Sequence, residues 1–171
     1  MRSTRFSAVA TAVAVAATAG SMALAQLPKA KGTAAAKEAA VALNSVEVRL
    51  FLEGRGEFSP DILPLKDFGT RNFETITSAF PADRFSSILI KVGLKTAGEA
   101  FLKGRQVKVS LVYEKTKKVA WTRTISDVYI GSSGRVSRVL LAEDKACGPF
   151  KLIVTAGKAT VEHTLHFSCG E

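Results

Sequence analysis

Residues 150–167 read FKLIVTAGKATVEHTLHF and decide the fold class of this chain. On both sides of Gly157-Lys158, apolar residues recur with a period of two, the pattern of a strand with one buried face. A two-residue turn with glycine in its first position is typical of a type II′ hairpin. We therefore predict an antiparallel hairpin with three inward-facing pairs, namely Val154 with Val161, Leu152 with His163 and Phe150 with Leu165.

A second hairpin is predicted earlier in the chain, between residues 107–113 and 119–125. A three-residue loop at residues 115–117 places alternate side chains of both strands on one face. The inward pairs are then Tyr113 with Val119, Leu111 with Trp121 and Val107 with Ile125. The same register turns Arg123 inward opposite Val109, so its charge must lie near a sheet edge or have a partner.

Four further segments have the strand period, namely residues 46–52, 88–94, 128–130 and 136–141. Gly131-Ser132-Ser133-Gly134 is expected to be a turn, and residues 60–77 a loop with a short edge strand. Seven or eight short strands at this spacing, with no segment of helical period, predict an all-β, antiparallel β-sandwich. A small β-barrel is the alternative.

The two cysteines, Cys147 and Cys169, flank the last hairpin. A one-residue bulge at Gly148-Pro149 would bring them opposite each other, so we predict a disulfide that closes the open end of the hairpin. Closing a loop of about 22 residues stabilises by about 3 kcal/mol in the chain-entropy model. A reactive or metal-binding thiol pair is disfavoured because the spacing matches neither Cys-x-x-Cys nor a zinc site.

The first 25 residues have the pattern of a cleaved signal peptide. Arg2 and Arg5 precede an uncharged segment rich in Ala and Val, and Ala23-Leu24-Ala25 supplies the small residues of a cleavage site. An uncleaved membrane anchor is the competing interpretation. We expect a flexible leader at residues 26–43, a β-sandwich domain at residues 44–171, no transmembrane segment in the mature chain, and a periplasmic or secreted location.

No sequence motif indicates catalysis. His163 and His166 would point to opposite faces of one strand, which is unsuitable for chelating one metal ion. Gly131-Ser132-Ser133-Gly134 lacks the spacing of a nucleophile elbow, and the carboxylates do not cluster as in a calcium loop. We therefore expect no enzymatic activity, no metal and no cofactor.

The charge distribution is the feature that points to a partner. The chain holds 24 Lys and Arg against 15 Asp and Glu, and residues 103–123 contain seven basic residues against the single acid Glu114. Such a cluster attracts polyanions in a salt-dependent way. The candidate anion-binding residues are Lys103, Arg105, Lys108, Lys115, Lys117 and Lys118. The alternative is a solvated strand face whose lysines discourage aggregation.

The favoured function is an exported, non-enzymatic binding or envelope-associated domain that contacts an anionic partner through residues 103–118. An anionic membrane surface, lipopolysaccharide, an acidic glycan and an acidic protein are the candidate partners, and nucleic acid is disfavoured. A carrier of a small apolar ligand is one alternative, with a cavity lined by Tyr113, Trp121, Phe150 and Phe167. Another is a subunit of a larger envelope or secreted assembly that adds a strand at a sheet edge, with residues 54–84 as contact region. The oligomeric state stays open.

Overall fold

The alternating segments form two four-stranded antiparallel sheets in the computed structural model, which describes residues 41–104, 107–143 and 148–168. The described residues lie in one compact unit, Ala36–Glu171. The strands are β1 (Ala42–Leu52), β2 (Glu57–Phe58), β3 (Gly69–Arg71), β4 (Glu74–Ile76), β5 (Phe85–Lys95), β6 (Ala100–Leu102), β7 (Val107–Tyr113), β8 (Val119–Ile125), β9 (Val128–Ile130), β10 (Arg135–Glu143), β11 (Phe150–Ala156), β12 (Ala159–Leu165) and β13 (Phe167–Ser168).

Sheet I has the strand order β10-β5-β1-β2, and sheet II has the order β12-β11-β7-β8. Two smaller sheets, β13-β3-β4 and β6-β9, complete the domain, and β13 is parallel to β3. The two main sheets contain seven of the eight predicted strands, whereas the eighth, β9, lies in a small sheet and β2 of sheet I was not predicted. Apart from β9, the strands of two or three residues were not predicted individually, because a period of two is difficult to recognise over so short a segment.

One hydrophobic core joins the two main sheets. Phe167 connects them, because its ring contacts Phe85 of sheet I at 5.6 Å and Phe150 of sheet II at 6.1 Å between centroids. The fully buried side chains alternate along each strand as a sandwich requires. They include Val48, Leu50, Ile88 and Ile90 from sheet I and Val109, Leu111, Leu152 and Val154 from sheet II.

The predicted register of the last hairpin is confirmed in all three pairs. Gly157 has a φ of +60°, whereas Lys158 has no positive φ, as a type II′ turn requires. The predicted turn at residues 131–134 is also confirmed, since the Gly134 N–H donates to the Gly131 carbonyl at 2.9 Å. Gly134 has a φ of +66°, and a Cβ there would lie 2.7 Å from the Thr96 carbonyl oxygen.

The predicted register of the hairpin β7–β8 is right in its strands and wrong at its loop. Leu111 pairs with Trp121 and Val107 with Ile125, but Val119 pairs with Val112 rather than Tyr113. The Tyr113 N–H donates instead to the Lys118 carbonyl at 2.9 Å, and Lys117 closes the loop at a φ of +58°. A left-handed residue of this kind commonly ends a hairpin loop with a bulge, which shifts the pairing by one residue.

Three further predictions can be compared with the observed strands. β1 begins at Ala42, two residues before the predicted boundary at residue 44. Residues 60–77 contain two short strands, β3 and β4, instead of one. Arg123 does turn to the inward side opposite Val109, and it is exposed because β8 is an edge strand.

Candidate functional site

The predicted basic residues do not form one compact cluster. Lys103 follows β6 and Lys108 lies near the start of β7, whereas Lys115, Lys117 and Lys118 lie in the loop after β7. The strand is seven residues long, so the two groups are separated by about 20 Å. Arg105 falls outside the described residues. All five described lysines are exposed.

A groove on the outer face of sheet II lies between the two lysine groups. We define this face as the side of β7, β8, β11 and β12 that points away from the core. Ladder pairing places Lys108 beside Thr155, Ser110 beside Ile153, and Val112 next to Val119. The groove has a volume of about 220 Å³ and is lined by Lys108, Ser110, Val112, Val119, Ile153 and Thr155. It therefore runs from Lys108 towards the loop lysines, which immediately precede Val119.

Hydroxyl groups dominate the polar part of this face. Ser110 Oγ and Thr122 Oγ1 are 3.0 Å apart, and Thr122 also donates to the Val109 carbonyl at 3.2 Å. Thr155 and Thr160 form a similar cross-strand pair at 3.3 Å. Each hydroxyl combines one donor with two acceptor sites, so a paired hydroxyl still has capacity for a ligand. The strands hold these groups at fixed spacing along the face.

The positive charges beside the groove are not neutralised by described residues. No described carboxylate forms an ion pair with any of the five exposed lysines. Among the described residues, one ion pair lies on this face: Lys151 Nζ donates to Glu162 Oε2 at 2.9 Å, and this hydrogen bond raises the pKa of Lys151. The lysines at the two ends of the groove therefore remain available to an anionic ligand.

The sequence analysis missed two kinds of surface residue. The apolar part of the groove is formed by Val112, Val119 and Ile153. On β11, Ile153 is an apolar residue between two outward-facing polar residues.

Phe101 and Tyr129 pair across β6 and β9 and are 59% and 53% exposed. Tyr129 donates a hydrogen bond to Glu99 at 2.7 Å, which raises the pKa of its hydroxyl. The pair was missed because Phe101 lies in β6, a strand that the sequence analysis did not predict, although Tyr129 lies in the predicted segment 128–130.

The histidines are placed as the sequence predicts. His163 is half-buried opposite Leu152, and His166 is exposed beyond the end of β12. Among the described residues, no group of three or more potential ligands is arranged to hold a metal ion. Cys147 and Cys169 both lie outside the described residues, so the disulfide stays a prediction.

Of the four aromatic side chains that would line a carrier's cavity, two pack in the core and two are only partly buried. Phe150 and Phe167 are fully buried, and the Tyr113 ring packs on Phe150 at 4.8 Å between centroids. Trp121 lies at the sheet edge beneath the Arg123 guanidinium, 5.9 Å from its ring centre. Their packing does not favour the carrier function.

A larger surface cleft, of about 680 Å³, lies beside the loop before β3. Its lining includes Lys66, Phe68, Ile76, Pro149 and His166, and Thr70 nearby is buried with no hydrogen-bond partner for its hydroxyl among the described residues. The cleft lining includes the carboxylate of Asp67 beside its one lysine, whereas the groove lining has Lys108 and no carboxylate, so the cleft matches a polyanion less well than the groove does.

Comparisons with known proteins leave the family open. No protein-family model matches the chain, and no curated protein matches it. A similar solved structure is the ligand binding region of serine-glutamate repeat protein A (SgrA) of Enterococcus faecium, at 12% identity and a TM-score of 0.27. The similarity covers 48% of this chain and 83% of that one. In the described part of the chain, no helix has the length and apolar character needed to cross a bilayer.

Proposed function

We propose that this protein is an exported, non-enzymatic binding domain whose outer face of sheet II binds an elongated acidic polysaccharide. The observation that carries the proposal is the groove between two exposed lysine groups that no described carboxylate neutralises. The export and the disulfide rest on the sequence of the signal segment and on the spacing of the cysteines.

A linear polysaccharide with repeated carboxylate or sulfate groups matches this face in length and chemistry. Lysines about 20 Å apart along β7 would contact anionic groups several sugars apart. The hydroxyls of Thr122 and Thr155, which are exposed and half-buried, respectively, would exchange hydrogen bonds with sugar hydroxyls. The positive potential would increase the association rate in a salt-dependent manner.

The distribution of charge favours a polysaccharide over a membrane surface. A protein that lies on a bilayer gains about 1 kcal/mol for each lysine near the lipid headgroups, so it benefits from lysines gathered on one protruding end. Here the lysines are divided between the two ends of a groove. Acidic glycans are also abundant partners outside the cytoplasm, the location that the signal segment predicts.

The test measures binding to dextran sulfate and to neutral dextran at several salt concentrations, using the mature protein. The variant Lys115→Ser/Lys117→Ser/Lys118→Ser should bind dextran sulfate about 10-fold more weakly or worse, since each exposed charge contact contributes up to about 1 kcal/mol. The matched control Lys66→Ser/Arg71→Ser/Arg84→Ser removes the same charge from exposed positions outside sheet II and should bind within about 3-fold of wild type.

Equal weakening in both variants would contradict the proposal, because net charge alone would then explain binding. Unchanged binding from low to high salt would also contradict it. Binding to anionic phospholipid vesicles without binding to dextran sulfate would assign the lysines to a membrane surface instead.

A further inference from the structure

We infer that the protein forms a two-fold symmetric dimer in which β10 pairs antiparallel with β10 of a second copy. β10 is an edge strand of sheet I and is nine residues long. Long edge strands with free backbone groups readily pair with another strand unless charge or covering segments prevent it. This inference is independent of the polysaccharide proposal, since it concerns the other sheet.

The hydrogen bonding of β10 shows which residues face its free edge. The Thr96 N–H donates to the Gly134 carbonyl at 2.8 Å, and bonded and non-bonded pairs alternate along an antiparallel ladder. The even-numbered residues of β10 therefore bond to β5, and the odd-numbered residues direct their N–H and C=O groups outwards. Two of these outward groups form long hydrogen bonds with nearby side chains. Arg138 Nη1 donates to the Ser137 carbonyl at 3.4 Å, and the Arg135 N–H donates to Ser133 Oγ at 3.4 Å.

The same odd-numbered residues expose apolar side chains on the outer face of sheet I. Val139 is 56% exposed and Leu141 is 44% exposed. The neighbouring strand adds the half-buried Leu89, which pairs with Leu141. This distinguishes β10 from the edge strand β12, whose exposed residues are Thr160, Glu162 and Thr164. An apolar edge gains free energy when a second strand covers it.

In one register of the dimer, the charged residues at the ends of β10 lie opposite residues of the opposite charge on the second copy of β10. If two copies pair about Val139, Arg135 of each copy lies opposite Glu143 of the partner subunit. Ser137 lies opposite Leu141 of the partner subunit, and Val139 faces its own symmetry mate. All these positions are odd-numbered, so the outward N–H and C=O groups meet and form up to about ten hydrogen bonds. Two opposite-charge cross-strand pairs form at the ends of the interface.

The experiment is sedimentation equilibrium of the mature protein over a range of concentrations, without polysaccharide. The wild-type protein should be dimeric at high concentration. Arg135→Glu and Glu143→Arg should each raise the dimer dissociation constant about 10-fold or more, because each places like charges opposite one another twice. The double variant Arg135→Glu/Glu143→Arg should restore the wild-type dissociation constant.

Disulfide trapping gives a second measurement that tests the register. In the proposed pairing the two Val139 Cα atoms are about 5.5 Å apart, within the range that a disulfide spans, so Val139→Cys should cross-link on oxidation. Ser137→Cys is the matched control, because its symmetry mate would be about 13 Å away. A monomer at all concentrations, a double variant that stays monomeric, or equal cross-linking at both positions would overturn the inference.

Discussion

Phe167→Ala removes the side chain that connects the two sheets. Phe167 is 1% exposed, and its ring contacts Phe68, Phe85 and Phe150 at centroid distances of 5.6 to 6.2 Å. Truncation of a buried phenylalanine to alanine destabilises a protein by about 3–5 kcal/mol, because the lost burial is followed by a cavity. Since three rings surround this one, we expect a value near the middle of that range, about 4 kcal/mol.

The loss is large compared with the total stability of a domain, which is about 5–15 kcal/mol. For a domain of this size it corresponds to a fall in Tm of about 10–20 °C. Urea unfolding followed by the fluorescence of Trp121, together with thermal unfolding followed by circular dichroism, measures both quantities. Phe101→Ala is the matched control, because Phe101 is 59% exposed and its truncation should cost about 0.5 kcal/mol or less. A loss below about 1 kcal/mol for Phe167→Ala, or equal losses in the two variants, would refute the reasoning.

Three further predictions concern a turn, an ion pair and the cysteines. Gly134→Ala should destabilise the protein by about 1–3 kcal/mol in urea unfolding, because residue 134 has a positive φ and the added Cβ would approach the Thr96 carbonyl. The control Gly98→Ala should be nearly neutral, because the space around Gly98 is open. The Lys91 hydrogen bond lowers the pKa of Glu47 below 4.5, so this pair stabilises the fold above that pH and the contribution is lost as the pH falls through the lowered pKa. Glu47→Gln should therefore make the Tm less sensitive to acid below pH 4.5, and it should reduce the stability at pH 7 by about 1 kcal/mol or less. A variant with the same dependence of Tm on pH as the wild-type protein would contradict this prediction. The mature protein should begin at Gln26 and gain the mass of two hydrogen atoms on reduction, and two free thiols before reduction would disprove the disulfide between Cys147 and Cys169.

The fold was predictable where strands were long enough to show a period. The hairpin β11–β12 has seven residues in each strand and a glycine that fixes its turn, so its register followed from the sequence. The loop of β7–β8 was not predictable, because nothing in its sequence marks Lys117 as the residue that adopts a left-handed conformation. β6 pairs with β9 and β3 also pairs with β13, both of which lie far along the chain, and a local sequence pattern does not report such pairings.

The candidate site was predictable only in its charges. The lysines stand out in the sequence, but their division between two ends of a strand depends on where β7 begins and ends. The groove depends on β11 lying beside β7, since Ile153 and Thr155 come from that strand. The sequence did not determine this pairing, because β7 and β11 are separated by three other strands along the chain.

The groove on the outer face of sheet II is the place where we propose that an acidic polysaccharide binds. Amide chemical shifts of the ¹⁵N-labelled mature protein, recorded while short dextran sulfate chains are added, test this claim directly. We expect the largest shifts at Lys108, Ser110, Val112, Lys118, Val119 and Thr155. Shifts concentrated on the outer face of sheet I or around Phe101 and Tyr129, or no shifts at low salt, would contradict it.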